Sequence, residues 1–228
     1  MSDGLFITGT DTGVGKTTVA CALLRHYVAA GWRAVGMKPV AAGGSEDNDD
    51  IVALAAAGNV DAPLSERCPY PFAEAIAPHL AARAAGVAIE LHRIGESYAG
   101  LSARAERIVV EGAGGALSPL GEKIDMLDIA RALNLPVLMV VGLRLGCLSH
   151  ALMTALAIRG RGLELVGWIA NCIDPTMVLR DENVDALERR LSAPRIASID
   201  WNCAEAPDWS ADEAIGTRRK LSARSDPC

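Results

Sequence analysis

The chain has 228 residues, of which 50% are hydrophobic and only 4% aromatic. That length and apolar content suit one large α/β domain with a core of Ala, Leu, Val and Ile, a composition common in parallel sheets covered by helices. The formal net charge of -6 argues against a nucleic-acid partner, which would need a basic face, and the longest apolar run, Leu135 to Leu143, is far too short to cross a bilayer.

In chain order, Leu5-Phe6-Ile7-Thr8 reads as a buried strand. The turn Gly9-Thr10-Asp11-Thr12-Gly13-Val14-Gly15-Lys16-Thr17-Thr18 follows, and Val19-Ala20-Cys21-Ala22-Leu23-Leu24 begins a helix. Strand, glycine turn, Gly-Lys-Thr and helix form the context of a phosphate-binding loop. The glycines let backbone N–H groups converge on phosphate oxygens, and the helix N-terminus adds donors and partial positive charge. Lys16 would neutralise the β- and γ-phosphates, and the Thr17 hydroxyl would ligate Mg²⁺. The usual spacing from the first glycine to Gly-Lys is one residue shorter, so Thr10 holds the place of the expected glycine. The plainer reading, an ordinary strand–turn–helix, rarely yields this string by accident.

The first helix should run from Lys16 to about Ala30 and stop at Gly31. Arg33 to Val40 reads as a second strand that ends at Lys38-Pro39, because proline cannot donate to a central ladder. Ala41 to Asp50 is an acidic loop, and a helix follows to about Ala57. Pro63, Pro69, Pro71 and Pro78 mark residues 60 to 80 as an irregular excursion, with Pro69 to Phe72 extended. Further patterns predict a helix from Ile89 to Arg104, then a buried strand from Arg107 to Glu111 running into Gly112-Ala113-Gly114-Gly115. A helix from Ile124 to Leu133 and a strand from Pro136 to Gly142 come next. Leu143 to His150 leads into a helix reaching Arg159, followed by a strand from Leu163 to Asn171, a helix over 176–191 and a last strand from Arg195 to Ile199. Strands alternating with helices predict an α/β fold: a single doubly wound, mostly parallel sheet with helices on both faces and right-handed crossovers. It forms one domain over residues 1–228, with the last ~20 residues weakly patterned. The basic cluster Arg218-Arg219-Lys220 with Arg224 reads as a solvated tail rather than a binding patch. Six scattered cysteines with no Cys-x-x-Cys pair, and an N-terminus without the basic start of a signal peptide, lead us to expect reduced thiols and a cytoplasmic protein.

Ligands of such a sheet sit beyond the carboxyl ends of its strands. Glu111 follows an apolar strand and can hold Mg²⁺ beside a phosphate loop, although a solvated strand end is an equal reading by itself. The glycines after it let backbone approach a ligand. Asp50 is a further metal candidate or simply a helix N-terminal acid, and composition does not choose among Asp47, Asp49 and Asp50. Lys38 offers fixed positive charge to phosphate or carboxylate, or is a surface lysine. Gly146-Cys147-Leu148-Ser149 opens a helix and could take a carboxylate, or is a plain helix start. His150 has no nucleophile to serve.

Several segments together resemble the dethiobiotin synthetase family over roughly residues 4–205. They are Thr8 to Thr17, Gly36-Met37-Lys38-Pro39-Val40, Val110 to Gly115, Leu135-Pro136-Val137 with Val140-Val141-Gly142, Leu145-Gly146-Cys147, and Gly167 to Asn171. The resemblance implies conversion of ATP, CO₂ and 7,8-diaminopelargonate to dethiobiotin, ADP and phosphate through a carbamate and its phosphorylated form. It implies catalytic roles for Lys16, Lys38 and Thr12, and Mg²⁺ held by Thr17, Asp50 and Glu111. Nucleotide would be bound by Gly13, Val14, Gly15, Lys16, Thr17 and Thr18, by Asp50, by Glu111, Gly112, Ala113 and Gly114, and by Asn171 at the adenine edge. Thr12, Lys38 and Ala42 would face the diamine, and Gly146, Cys147, Leu148 and Ser149 would receive its carboxylate across a homodimer interface. This chain departs from the family pattern at Ala42, where a hydroxyl residue is frequent, at Arg144, where lysine is familiar, and at Asp200-Trp201, where Pro-Trp is common near adenine. Adenine contacts from residues 200–208 stay unassigned.

A partition or septum-site type ATPase switch is the main competing reading. Those proteins carry a second lysine where this chain has Asp11, and the C-terminus offers no convincing amphipathic membrane helix. A binding module without chemistry fits poorly with Lys16, Thr17, Lys38 and Glu111 all present. Amidotransferase-type synthetases acting on a corrinoid acid are usually much longer, with a glutaminase domain that has no counterpart in these residues.

Overall fold

Strand β1 (Asp3–Gly9) lies inside a six-stranded sheet of order β2-β5-β1-β6-β7-β8. The other strands are β2 (Ala34–Met37), β5 (Arg107–Glu111), β6 (Val137–Leu143), β7 (Leu165–Cys172) and β8 (Arg195–Ile199), and every pairing is parallel. The computed structural model describes residues 3–44, 47–202, 207, 209 and 215. Cys203, Cys228, the basic cluster at 218–224, Ser45 and Glu46 of the acidic loop, and residues 203–206 and 208 lie outside the described residues.

The alternation of side chains along each strand divides the core in two. Leu5 and Ile7 of β1 and Leu138 and Val140 of β6 join one cluster with α1 (Lys16–Ala29) and α2 (Asp49–Ala57). Phe6, Val137, Met139 and Val141 point the other way, against α5 (Leu91–Ser102), α6 (Met126–Ala132), α7 (Cys147–Gly160) and α8 (Arg180–Arg190). Strands buried on both faces read as continuous apolar runs, which is why they were legible. Helix α1 ends as expected: Gly31 is left-handed at φ 83, its N–H bonds Val28 O at 2.9 Å, and Trp32 N–H bonds Tyr27 O at 3.0 Å.

The region from Pro39 to Ala84 is more ordered than its prolines suggest. Lys38 N–H turns away to Arg67 O at 2.8 Å, and the chain then enters β3 (Val40–Ala42), which pairs in parallel with β4 (Tyr70–Phe72) as a separate two-stranded sheet. Ala41 and Ala42, expected in a loop, are therefore strand. Helices α3 (Leu64–Arg67) and α4 (Pro78–Ala84) replace the expected irregular excursion. Pro63 precedes the first and Pro78 opens the second, positions where a missing N–H costs no helical bond. Helix α8 starts later than periodicity suggested, because Asp174 binds the Thr176 N–H and hydroxyl in a turn and Leu179 sits at φ 55.

The chain lays β2 and β5 on one side of β1, and β6, β7 and β8 on the other. Strand order reverses at β1, so the crevice beyond its carboxyl end is where a ligand of this fold lodges.

Candidate active site

The turn from β1 to α1 forms one wall of that crevice. Gly15 caps α1 at φ 88 with no side-chain cap, leaving the amides of the first turn directed at incoming anions. A Cβ at Gly15 would lie 2.1 Å from Asn171 Nδ2, so both the backbone angle and the space require glycine. Asn171, buried at the end of β7, donates from Nδ2 to Val14 O at 2.7 Å and supports the loop from beneath.

Two lysines and two carboxylates meet around Thr17. Lys38 Nζ donates to Glu111 Oε1 at 2.6 Å, to Asp50 Oδ2 at 2.8 Å and weakly to Gly112 O at 3.4 Å. Thr17 Oγ1 stands 2.8 Å from both Asp50 Oδ1 and Glu111 Oε1. Asn48 caps α2 through the Asp50 and Ile51 amides, which turns Asp50 rather than Asp47 or Asp49 into the site. Lys16 Nζ donates to Asp11 O at 2.9 Å. A single hydroxyl proton on Thr17 serves one carboxylate at a time, and Glu111 Oε2 is buried without a hydrogen-bond partner among the described residues. Such a set of oxygens suits a hard divalent cation completed by phosphate oxygens. Among the described residues no group of three or more His, Cys, Asp and Glu side chains is placed to hold a metal, so the donor set is two carboxylates and one hydroxyl.

Burial is the largest influence on each charge. It pushes the Glu111 carboxyl up, offset in part by Lys38. It pushes Lys38 down, but Glu111 and Asp50 together outweigh it, so Lys38 titrates above the ordinary lysine value and stays cationic. For Asp50 burial pushes up, but the charge and hydrogen bond of Lys38, with the Thr17 hydrogen bond and the charge of Lys16, together outweigh it and lower its pKa. Lys16 is brought down to about 8, first by burial and then by the like charge of Lys38.

The cleft has a volume of about 710 Å³, within the range of small-molecule sites. Thr12, Gly13, Gly15, Lys16, Thr17, Thr18, Lys38, Ala42, Asp50, Glu111, Ala113 and Gly114 all line it. Val14 and Asn171 lie just below. Gly146, Cys147, Leu148 and Ser149, at the start of α7, do not line this cleft, and the Cys147 N–H is already bonded to Arg144 O at 3.0 Å.

A family model described as an AAA domain matches residues 3–206. The ATP-dependent dethiobiotin synthetase BioD of Aromatoleum aromaticum is 50% identical over 199 residues, covering 85% of this chain and 88% of that protein. Its counterpart from Nitrosospira multiformis is 48% identical over 203 residues, covering 89% and 90%. The chain belongs to the dethiobiotin synthetase family. Solved structures with the same fold include the signal recognition particle receptor FtsY of Elizabethkingia anophelis in complex with GDP (16% identity, TM-score 0.58, 95% of this chain and 63% of that one). The septum site-determining protein MinD of Pyrococcus horikoshii, complexed with Mg-ADP, is another (17%, TM-score 0.56, 87% and 81%). At these identities the likeness is one of fold.

Dethiobiotin synthetase sequence patterns led to most of this cleft but not to its outer wall. Ala75, Ile76, Ala77 and Pro78, with Ser118 and Pro119, also line the cleft. The first four precede or open α4, in the segment whose prolines suggested a surface excursion. The one signal available was Pro78 at a helix start.

Proposed function

We propose that the chain makes dethiobiotin at this cleft by closing a cyclic urea on 7,8-diaminopelargonate, with CO₂ entering as a carbamate and ATP as the phosphoryl donor. One amine takes up CO₂ and releases a proton. A carbamate oxygen then attacks the γ-phosphorus, the bond to ADP breaks, and a carbamoyl phosphate forms. The second amine attacks the carbamoyl carbon, expels phosphate and loses a proton, which closes the ring.

The observation that carries this reading is the pair of buried lysines, Lys16 and Lys38, set against Thr17 and two carboxylates at the carboxyl end of β1. Carbamate and triphosphate are both anions, and fixed cations in a poorly solvated site lower the cost of bringing them together. Lys38, held cationic, serves the carbamate and transferring phosphoryl group. Lys16 serves the β- and γ-phosphates, and Thr12 at the loop's front bonds the same centre. The backbone of Gly13 to Thr18 and of Glu111 to Gly114 takes the nucleotide, with Asn171 near adenine. Thr17, Asp50 and Glu111 would hold Mg²⁺, and the partnerless Glu111 Oε2 supports that role. Bound there, the metal would supply positive charge against the phosphates.

The start of α7, from Gly146 to Ser149, reads as the receiver of the substrate carboxylate in a second copy's site, consistent with its place outside this copy's own cleft. The enzyme is then a homodimer. Cys21, Cys68, Cys147 and Cys172 are free and buried, and no helix among the described residues is long and apolar enough to cross a membrane. Both facts accord with a cytoplasmic site of action. Likeness to MinD extends to fold, while Asp11 lacks the cation that the switch ATPases place there.

The test is mass spectrometry of the product from diaminopelargonate, bicarbonate and MgATP. A cyclic urea heavier than the diamine by one carbonyl less the two hydrogens lost from the amines, formed with one equivalent of ADP, is expected. ATP turnover that ignores the diamine would instead favour a switch.

A further inference from the structure

Asp11 lies at the front of the phosphate loop and makes contacts the reaction itself does not use. Its backbone carbonyl accepts Lys16 Nζ at 2.9 Å. One carboxylate oxygen, Oδ1, accepts the Thr12 N–H at 2.7 Å. The other, Oδ2, accepts Nη2 of Arg144, which follows directly on the end of β6. The preceding residue is tied to the same strand, because Thr10 N–H donates to Val140 O at 3.0 Å. The leading edge of the loop is thus pinned to β6 twice, once through backbone and once through an ion pair spanning 133 positions of sequence.

Lys16 is buried, and among the described residues its hydrogen-bond acceptor is the Asp11 carbonyl. The direction of that carbonyl follows from how the Asp11 side chain is held. If Asp11 turned, the carbonyl and the Thr12 N–H would turn with it. Lys16 would lose its acceptor, and Thr12, which lines the cleft, would change its aim.

We propose that Asp11 and Arg144 are a pair of positioning residues that lock the front of the phosphate loop, holding Lys16 ready at the Asp11 carbonyl and keeping Thr12 turned into the cleft. Neither side chain needs to touch phosphate to do this. Both are about two-fifths exposed, at 44% and 42%, so the pair adds little to folding. Its effect falls on the geometry of the loop, where small displacements cost binding and rate. The inference rests on nucleotide phosphates occupying this loop. It also gives Asp11 a use that a cation at that position could not fulfil.

A double-mutant cycle tests it, with MgATP affinity by calorimetry and steady-state KM for ATP as readouts. Asp11→Asn keeps an acceptor for the Thr12 N–H and removes the charge. Arg144→Ala removes the other half. Each single change is expected to raise the dissociation constant for MgATP about fivefold with the thermal midpoint nearly unchanged, and the double variant to be no worse than the poorer single. Arg144→Lys should stay within about twofold of the unmutated protein. Raising salt should weaken binding more in the unmutated protein than in Arg144→Ala, closing the gap between them, because an exposed pair is screened. Additive losses in the double variant, or single variants that bind MgATP normally, would overturn the pairing. If the unmutated protein bound no MgATP, the phosphate-loop reading would fail, and this inference with it.

Discussion

At the scale of single residues the site is an arrangement of unequal charges. Lys38 is bracketed by Glu111 and Asp50 and stays cationic, whereas Lys16 faces a carbonyl and the like charge of Lys38. Lys38→Ala should therefore abolish dethiobiotin formation while MgATP still binds, and it should also destabilise the fold, because two carboxylates lose their counter-ion. Near-normal product formation in that variant would remove Lys38 from the chemistry. Lys16 makes a pH prediction. With its pKa near 8 in the free protein, it is charged below that value and neutral above it. Triphosphate favours the charged form, so MgATP binding should take up a proton near pH 8 and weaken as pH rises beyond it. Because the folded value lies below the unfolded 10.5, stability should rise as pH climbs between about 8 and 10.5. Binding heats that do not depend on buffer ionisation at pH 8 would contradict the first claim. Glu111→Ala should raise the Mg²⁺ concentration for half-maximal activity by on the order of tenfold, as read from a metal titration of the rate.

At the scale of elements, the phosphate loop depends on its support from β7. Gly15 has a left-handed backbone and no room for a methyl group against Asn171. Gly15→Ala should cost about 2 kcal/mol from strain at that angle, with more from displacing Asn171 off the Val14 carbonyl. The expected result is a thermal midpoint lowered by roughly 4–8 °C and loss of nucleotide binding. A variant that melts normally and binds MgATP would show that the loop tolerates what these distances forbid. The same scale shows where sequence reading succeeded and failed. Apolar runs such as Val137 to Val141 and the turn around Gly13 and Gly15 declare themselves locally. The β3–β4 pair does not, because a three-residue strand acquires meaning only from a partner about thirty positions away.

For the whole molecule, three of the exposed apolar residues lie on α7 or just before it. Leu145 is 95% exposed, Leu156 69% and Met153 56%, and Val178 and Leu179 near α8 are also exposed. We place the contact of the proposed homodimer on these residues. Leu156→Glu should then yield a monomer by sedimentation, with KM for diaminopelargonate raised at least tenfold and MgATP affinity kept. A monomeric unmutated protein at micromolar concentration would argue against the shared site.

The sequence by itself determined the alternation of buried strands and helices and the phosphate loop, and its resemblance to the dethiobiotin synthetases named most of the residues lining the cleft. The strands, helices and loop follow from local rules: apolar runs, glycines at forced angles, and Gly-Lys-Thr at a helix start. Only the tertiary structure put Asn171 beneath the loop, brought Ala75 to Pro78 into the cleft and joined Asp11 to Arg144. Each of those depends on residues distant in the chain meeting at one rim of the sheet, and no local pattern encodes such a meeting.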